Sequence, residues 1–200
     1  MPEVVNQMPE VYKIFNDALR ELDSKLKRKV EIRAIGGYAV LHHTQIDRFS
    51  KEIDSYSRIE FTNEEEKIIE EIGEKYTLDS SWLNYRWAAS TLKDEIFDNA
   101  KWEKIDIDFK NIDFYVVSVD DLLESKFRAC NIDEDDEDYV FRGNKDLRDI
   151  FTIANQIMKI KNYNEMENKL STLFIKYPIT VRGIKENQHY FKSQVINNED

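Results

Sequence analysis

The chain has 200 residues, 41% of them hydrophobic and 12% aromatic, which is enough apolar mass to bury a core and argues against a disordered chain. Its net charge of −11, from 40 acidic against 29 basic side chains, argues against broad non-specific coating of nucleic acid, which works through basic surface that displaces counterions. No run approaches the roughly 18 apolar residues of a membrane span, and the lone cysteine, Cys130, allows neither an intrachain disulfide nor a cysteine zinc site.

At the N-terminus, MPEVVNQMPE has neither the basic flank nor the apolar core of a signal peptide, so a cytoplasmic, soluble protein is expected. Pro9 opens a helix whose face is Val11, Ile14, Phe15, Ala18, Leu19, Leu22 and Leu26. VEIRAI, Val30 to Ile35, alternates apolar with charged residues and reads as a strand ending at Gly36-Gly37. A short helix over Tyr38–His43 and a second strand over Ile53–Phe61 follow. Thr62 and Glu65 form a capping-box pattern before a helix carrying Ile68, Ile69, Ile72 and Tyr76. Ser81-Trp82-Leu83-Asn84 reads as a loop and Ala88–Phe97 as a helix. Glu103–Phe109 and Ile112–Ser118 are strand candidates joined by a hairpin at Lys110-Asn111. Ser118 and Asp121 signal the start of the helix VDDLLESKFRAC. Asp133 to Asp138 are six consecutive acids, without which the balance is −5; the run reads as a solvated loop, with a decoy for a basic partner as the alternative. Leu147, Ile150, Phe151, Ala154, Ile157 and Met158 mark one further helix, and Met166, Leu170, Leu173 and Phe174 another, which Pro178 ends. The expected fold class is α/β (α+β), with an α/β core over residues 1–118, a helical part over 119–180 and a polar tail over 181–200.

A strand running into Gly-Gly and a helix presents backbone N–H groups that can hold a phosphate, and it also serves as an ordinary tight turn. Glu52 and Asp54 alternate with Ile53, so on a strand both carboxylates project from one face. Such a pair suits Mg²⁺ or Mn²⁺; the same alternation fits the solvent side of an edge strand. Asp146 and Asp149 stand three apart, on one side of a helix. Lys126 lies beside the stripe of Leu122, Leu123 and Phe127, where an ammonium snorkels or meets a carboxylate. His42 and His43 point about 100° apart on a helix and do not make a metal pair.

Gly36-Gly37-Tyr38-Ala39, Arg48, Ser50 and Glu52-Ile53-Asp54 together resemble the signature of nucleotidyltransferase-fold proteins of the polymerase-beta type. The pattern is GG-x-A, a short helix, then R-x-[ST]-x-D-hydrophobic-D, and the similarity is to the branch that includes abortive-infection AbiEii-like toxins. Lys126-Phe127-Arg128-Ala129 is similar to that branch's K-[L/F]-x-A element, and Arg142 to Ile150 to its R-x-x-K-D-x-x-D-I element. Trp82-Leu83-Asn84 is similar to a W-L-N segment of some members. The similarities span Val30 to Ile160. They imply a small mixed sheet flanked by helices, with a helical C-terminal part.

The resemblance also implies an NTP held at Gly36, Gly37, Arg48 and Ser50. It implies Mg²⁺ or Mn²⁺ at Glu52 and Asp54, and catalytic roles for Glu52, Asp54, Lys126, Asp146 and Asp149. The acceptor it implies is RNA, particularly a tRNA end, or a protein side chain, in a toxin–antitoxin or phage-defence setting with a cognate partner protein. A two-metal transfer calls for a third carboxylate. Asp106 and Asp108 of KIDIDF are the candidates, with Asp108 chosen for the metal set, against a plain polar face on a half-buried strand. Arg48 suits a triphosphate as a donor fork, or equally a loop-fixing carboxylate. A Lys126 pair with Asp146 or Asp149 would join two helices at the cleft, or serve as a helix–helix salt bridge without chemistry. The departure from the pattern is Glu52, where the family has Asp: one added methylene moves the carboxylate by roughly 1.5 Å. A retuned enzyme and a catalytically impaired interaction module or nucleotide binder both accommodate it.

Overall fold

The structure is a computed structural model that describes residues 9–46, 52–56, 60–85, 95–132 and 139–193. The chain divides into two compact units, Met1–Ser118 and Val119–Asp200.

In the first unit, α1 (Glu10–Lys25) starts behind Pro9 and buries Tyr12, Phe15, Ala18, Leu19 and Leu22 along one face. β1 (Val30–Ile35) runs directly into α2 (Gly36–Thr44). β2 (Ile53–Ser55) is followed by α3 (Asn63–Lys75), β3 (Leu83–Asn84), α4 (Glu95–Asp98), β4 (Trp102–Lys104) and β5 (Ile112–Val117). The five strands form one mixed sheet in the order β3-β2-β1-β5-β4. β1 pairs parallel with β5 and antiparallel with β2, β2 pairs parallel with β3, and β4 pairs antiparallel with β5. One face, with Ile32, Ala34, Phe114 and Val116, is fully buried. There the Tyr38 ring of α2 packs edge-on to Phe15 of α1 at 5.7 Å and to Phe114 at 5.5 Å.

The capping box at the start of α3 forms as the sequence predicts, with the Thr62 side chain and Glu65 bonding each other's backbone N–H. At the other end of α1, the buried Asp23 carboxylate accepts backbone N–H groups from Lys110, Asn111 and Ile112 at 3.0, 2.6 and 2.9 Å. The Asn111 amide donates in return to the carbonyls of Asp23 and Leu26. This exchange fixes the turn that launches β5, because buried backbone donors must find an acceptor.

Several expected elements differ. The second strand stops at Ser55 instead of reaching Phe61, and the predicted loop at Leu83-Asn84 is a strand held by β2. The strand expected over Glu103–Phe109 ends at Lys104, so Asp106 and Asp108 sit on irregular, exposed chain. The N-terminal part of the helix predicted over Ala88–Phe97 and the acidic run at 133–138 lie outside the described residues.

The second unit is helical: α5 (Val119–Cys130), α6 (Tyr139–Gln156), α7 (Tyr163–Lys169), α8 (Ser171–Lys176), α9 (Pro178–Glu186) and α10 (Tyr190–Ser193). One expected helix over Met166–Phe174 is two, interrupted at Leu170. Pro178 begins a helix as well as following one, since its fixed φ and missing N–H suit the first helical turn. Residues read as the start of a polar tail are packed: Ile184 is fully buried and Phe191 meets Phe151 edge-on at 4.8 Å. The fold is α+β, and no helix among the described residues is long and apolar enough to cross a membrane.

Candidate functional site

Two constellations emerge, one in each unit. In the sheet unit, the antiparallel register sets Asp54 of β2 opposite Ile35, the last residue of β1. The chain then turns into α2 through Gly36, which has a left-handed φ of 61°. A Cβ added to Gly36 would lie 2.7 Å from Asp54 Oδ2. Glycine is therefore required here twice, by the dihedral and by the carboxylate packed against its backbone. Gly37 does not share the left-handed φ, so the two glycines are not equivalent.

On the other side of Asp54, the parallel register with β3 places Asn84 directly opposite. The Asn84 amide Nδ2 donates to Asp54 Oδ1 at 2.9 Å. Glu52 immediately precedes β2 and, like Asp54, is half-buried. Alternation across the paired strands puts Arg33, Tyr56, Tyr115 and Trp102 on the same face as Asp54. The Arg33 guanidinium lies 5.3 Å from the Trp102 ring centre, and Tyr56 stacks on the same ring at 6.1 Å.

In the helical unit, Lys126 of α5 reaches two carboxylates of α6, Asp146 Oδ1 at 2.5 Å and Asp149 Oδ2 at 2.9 Å. The side chains of Lys126, Asp146 and Asp149 are 9%, 16% and 5% exposed. A buried lysine between two carboxylates is stable because each charge is compensated at close range. Cys130, one helical turn beyond Lys126, has its thiol pushed up first by burial and then by Asp146, which makes it an inert thiol rather than a nucleophile.

A family model described as nucleotidyltransferase of unknown function (DUF6036) matches residues 10–183. The chain belongs to this family. No curated protein and no solved structure matches it. Family membership gives this nucleotidyltransferase an NTP as its implied substrate.

Of the residues expected in the nucleotidyltransferase site, Gly36, Gly37, Glu52 and Asp54 lie at the end of β1 and the start of β2, and Gly36 and Asp54 are in contact. Lys126, Asp146 and Asp149 form one cluster, with both of the anticipated pairs present. Arg48 and Ser50 lie outside the described residues. Asp108 lies on exposed, irregular chain between β4 and β5, and among the described residues no group of three His, Cys, Asp or Glu joins it to Glu52 and Asp54. β4 descends from Trp102 opposite Val117 to Lys104 opposite Tyr115, and the Ile105 N–H bonds Phe114. The chain beyond therefore heads for Ile112, which pairs with Val30 at the beginning of β1.

Sequence reading did not assign Asn84 a role, because Trp82-Leu83-Asn84 reads as a loop. Its signal was the Trp-Leu-Asn similarity. Both histidines have partners away from Asp54: His42 Nδ1 shares a hydrogen bond with the Tyr12 hydroxyl at 2.8 Å, and the His43 Nε2–H donates to the Val117 carbonyl at 2.7 Å. Burial, and then the neighbouring His43, lower the pKa of His42 to about 4, so it is neutral at physiological pH.

Proposed function

We propose that this nucleotidyltransferase moves a nucleotidyl group from an NTP to a hydroxyl of an RNA end, such as that of a tRNA, or of a protein side chain, with Mg²⁺ or Mn²⁺ as cofactor. The observation that carries this reading is the contact between Asp54 and the left-handed Gly36 at the head of α2. It joins a hard oxygen donor to a backbone turn that only glycine can make, and such a turn lets a phosphate approach main-chain N–H groups. Glu52 and Asp54 would hold one divalent ion, since Mg²⁺ is commonly bound by one or two carboxylates plus substrate.

When bound, such an ion neutralises charge developing on the phosphates. The chain's own part is to fix Asp54, through Asn84 and Gly36, and to present the turn at Gly36 to the triphosphate. The acceptor oxygen bonds to the α-phosphorus in line as the bond to the β-phosphate oxygen breaks. Pyrophosphate leaves, and the acceptor proton passes to solvent or base. Lys126, Asp146 and Asp149 are proposed to contribute to the same reaction, on the strength of their resemblance to the AbiEii-like elements. Kinship with that branch, a toxin–antitoxin or phage-defence role in the cytoplasm and a cognate partner protein belong to this same reading.

A second reading, a catalytically impaired interaction module or nucleotide binder, is favoured by one observation. Among the described residues no three His, Cys, Asp or Glu side chains form a group able to hold a metal, and the first acidic position is Glu52. Titration with each NTP, with and without Mg²⁺ or Mn²⁺, followed by label transfer to RNA and protein, separates the two. Metal-dependent transfer that Asp54→Asn abolishes supports the enzyme. Tight nucleotide binding without transfer supports the binder, and absence of both leaves the interaction module.

A further inference from the structure

We propose that Asn84 is a positioning residue for Asp54, holding the carboxylate in the rotation in which it receives the divalent cation; the inference rests on the metal-dependent reading above. The terminal torsion of an aspartate is broad and two-fold, so its oxygens take a defined direction only where neighbours impose one. Here Oδ1 accepts the Asn84 amide at 2.9 Å, while Oδ2 lies against the Gly36 backbone, where a methyl group would meet it at 2.7 Å. The amide fixes the carboxylate from the side opposite the phosphate turn.

A two-residue strand is a poor platform unless something pins it, and Trp82 does so. Its ring is fully buried, its Nε1–H donates to the Ile69 carbonyl of α3 at 2.8 Å, and its own carbonyl accepts the Ile53 N–H of β2 at 2.6 Å. α3 makes room for the ring with Gly73, whose added Cβ would stand 2.8 Å from Trp82 Cδ1 and 2.7 Å from the Asp79 carbonyl oxygen. The run Trp82-Leu83-Asn84 thus transmits the rigidity of α3 to Asp54.

The residue type also matters. An amide donates to Asp54 without adding charge, whereas a carboxylate in its place would repel Asp54 unless a cation lay between them. This gives the inference a signature of opposite signs that simple loss of packing does not produce.

Mn²⁺ is titrated against the full chain by electron paramagnetic resonance, alone and with an NTP present, with thermal unfolding measured in parallel. Asn84→Leu is expected to weaken Mn²⁺ binding by about 10-fold or more, the usual range for loss of a group that orients a metal ligand. Asn84→Asp is expected to lower the melting temperature without metal, to recover it with Mn²⁺, and to bind Mn²⁺ at least as tightly as wild type. Equal Mn²⁺ affinity in wild type and Asn84→Leu, with Asp54→Asn abolishing binding, overturns the positioning role and leaves the metal-dependent reading intact. Equal weakening in Asn84→Leu and Asn84→Asp marks a packing role and overturns it as well. No Mn²⁺ binding by wild type, either alone or with an NTP present, overturns both readings together.

Discussion

The two ionic constellations are built by different means. In the sheet unit, Asp54 is half-buried, takes a neutral amide on one oxygen and sets the other against a glycine backbone. In the helical unit, Lys126 is buried between two carboxylates at 2.5 and 2.9 Å, and the packing of α5 on α6 buries Asp149 with it while Asp146 stays partly exposed. The first arrangement spends backbone geometry to orient a single charge. The second satisfies its charges internally, so its members depend on one another. Substitution should therefore strike stability first in the helical unit, and ligand binding first in the sheet unit.

The largest expected effect is in the helical unit. Lys126→Met removes the lysine from buried Asp149 and partly exposed Asp146 and should lower unfolding free energy by about 3–5 kcal/mol, the usual cost of breaking a buried pair from one side. Denaturant melts measure it. A triple replacement of Lys126, Asp146 and Asp149 by apolar residues should recover most of that loss. If it does while nucleotidyl transfer stays absent, the cluster serves chemistry as well as stability. If transfer also returns, the cluster is structural and the difference between the two units is complete.

The next effect lies in the sheet unit, on α2. His42 has an ordinary pKa of 6.5 lowered to about 4 by burial, so between these values the unfolded chain binds a proton that the folded chain refuses. Stability is full above about pH 6.5 and is lost as pH falls toward 4, by on the order of 3 kcal/mol in all. His42→Gln should flatten this part of the pH–stability curve. An unchanged slope would show that acid sensitivity originates elsewhere.

The smallest stability effect carries the largest functional one. Gly36→Ala should cost roughly 2 kcal/mol, because the left-handed φ disfavours a side chain and Asp54 Oδ2 occupies its place. It should also abolish NTP binding, while Gly37→Ala changes either by far less. Isothermal titration with NTP alongside thermal melts reads both. Equal losses from the two substitutions would refute the assignment of the turn to Gly36.

Much of this was legible in the residues themselves. Alternation in VEIRAI, the Thr62/Glu65 capping box and the apolar stripe of α1 are local signals, written within a few residues of where they act. The Lys126 cluster was legible in part for a similar reason: Asp146 and Asp149 share a helix side by spacing alone, and a lysine beside an apolar stripe either snorkels or meets a carboxylate. The short strands were not. Leu83-Asn84 has too few residues to show a period, and its strand character comes from β2 and from the burial of Trp82. Asp106 and Asp108 alternate well enough to predict a strand, yet pairing with β5 ends as a regular ladder at Lys104.

The sequence by itself determined the α+β class through local periodicity, and it singled out Gly36-Gly37 with Glu52 and Asp54 through their resemblance to the nucleotidyltransferase-fold signature, since each of these motifs alone also fits an ordinary turn or an ordinary polar strand face. Tertiary structure alone decided which side chain joins Asp54. Strand order and register place Asn84 beside it. Contacts across strands depend on pairing between residues far apart in the chain, and no short window of sequence encodes that pairing.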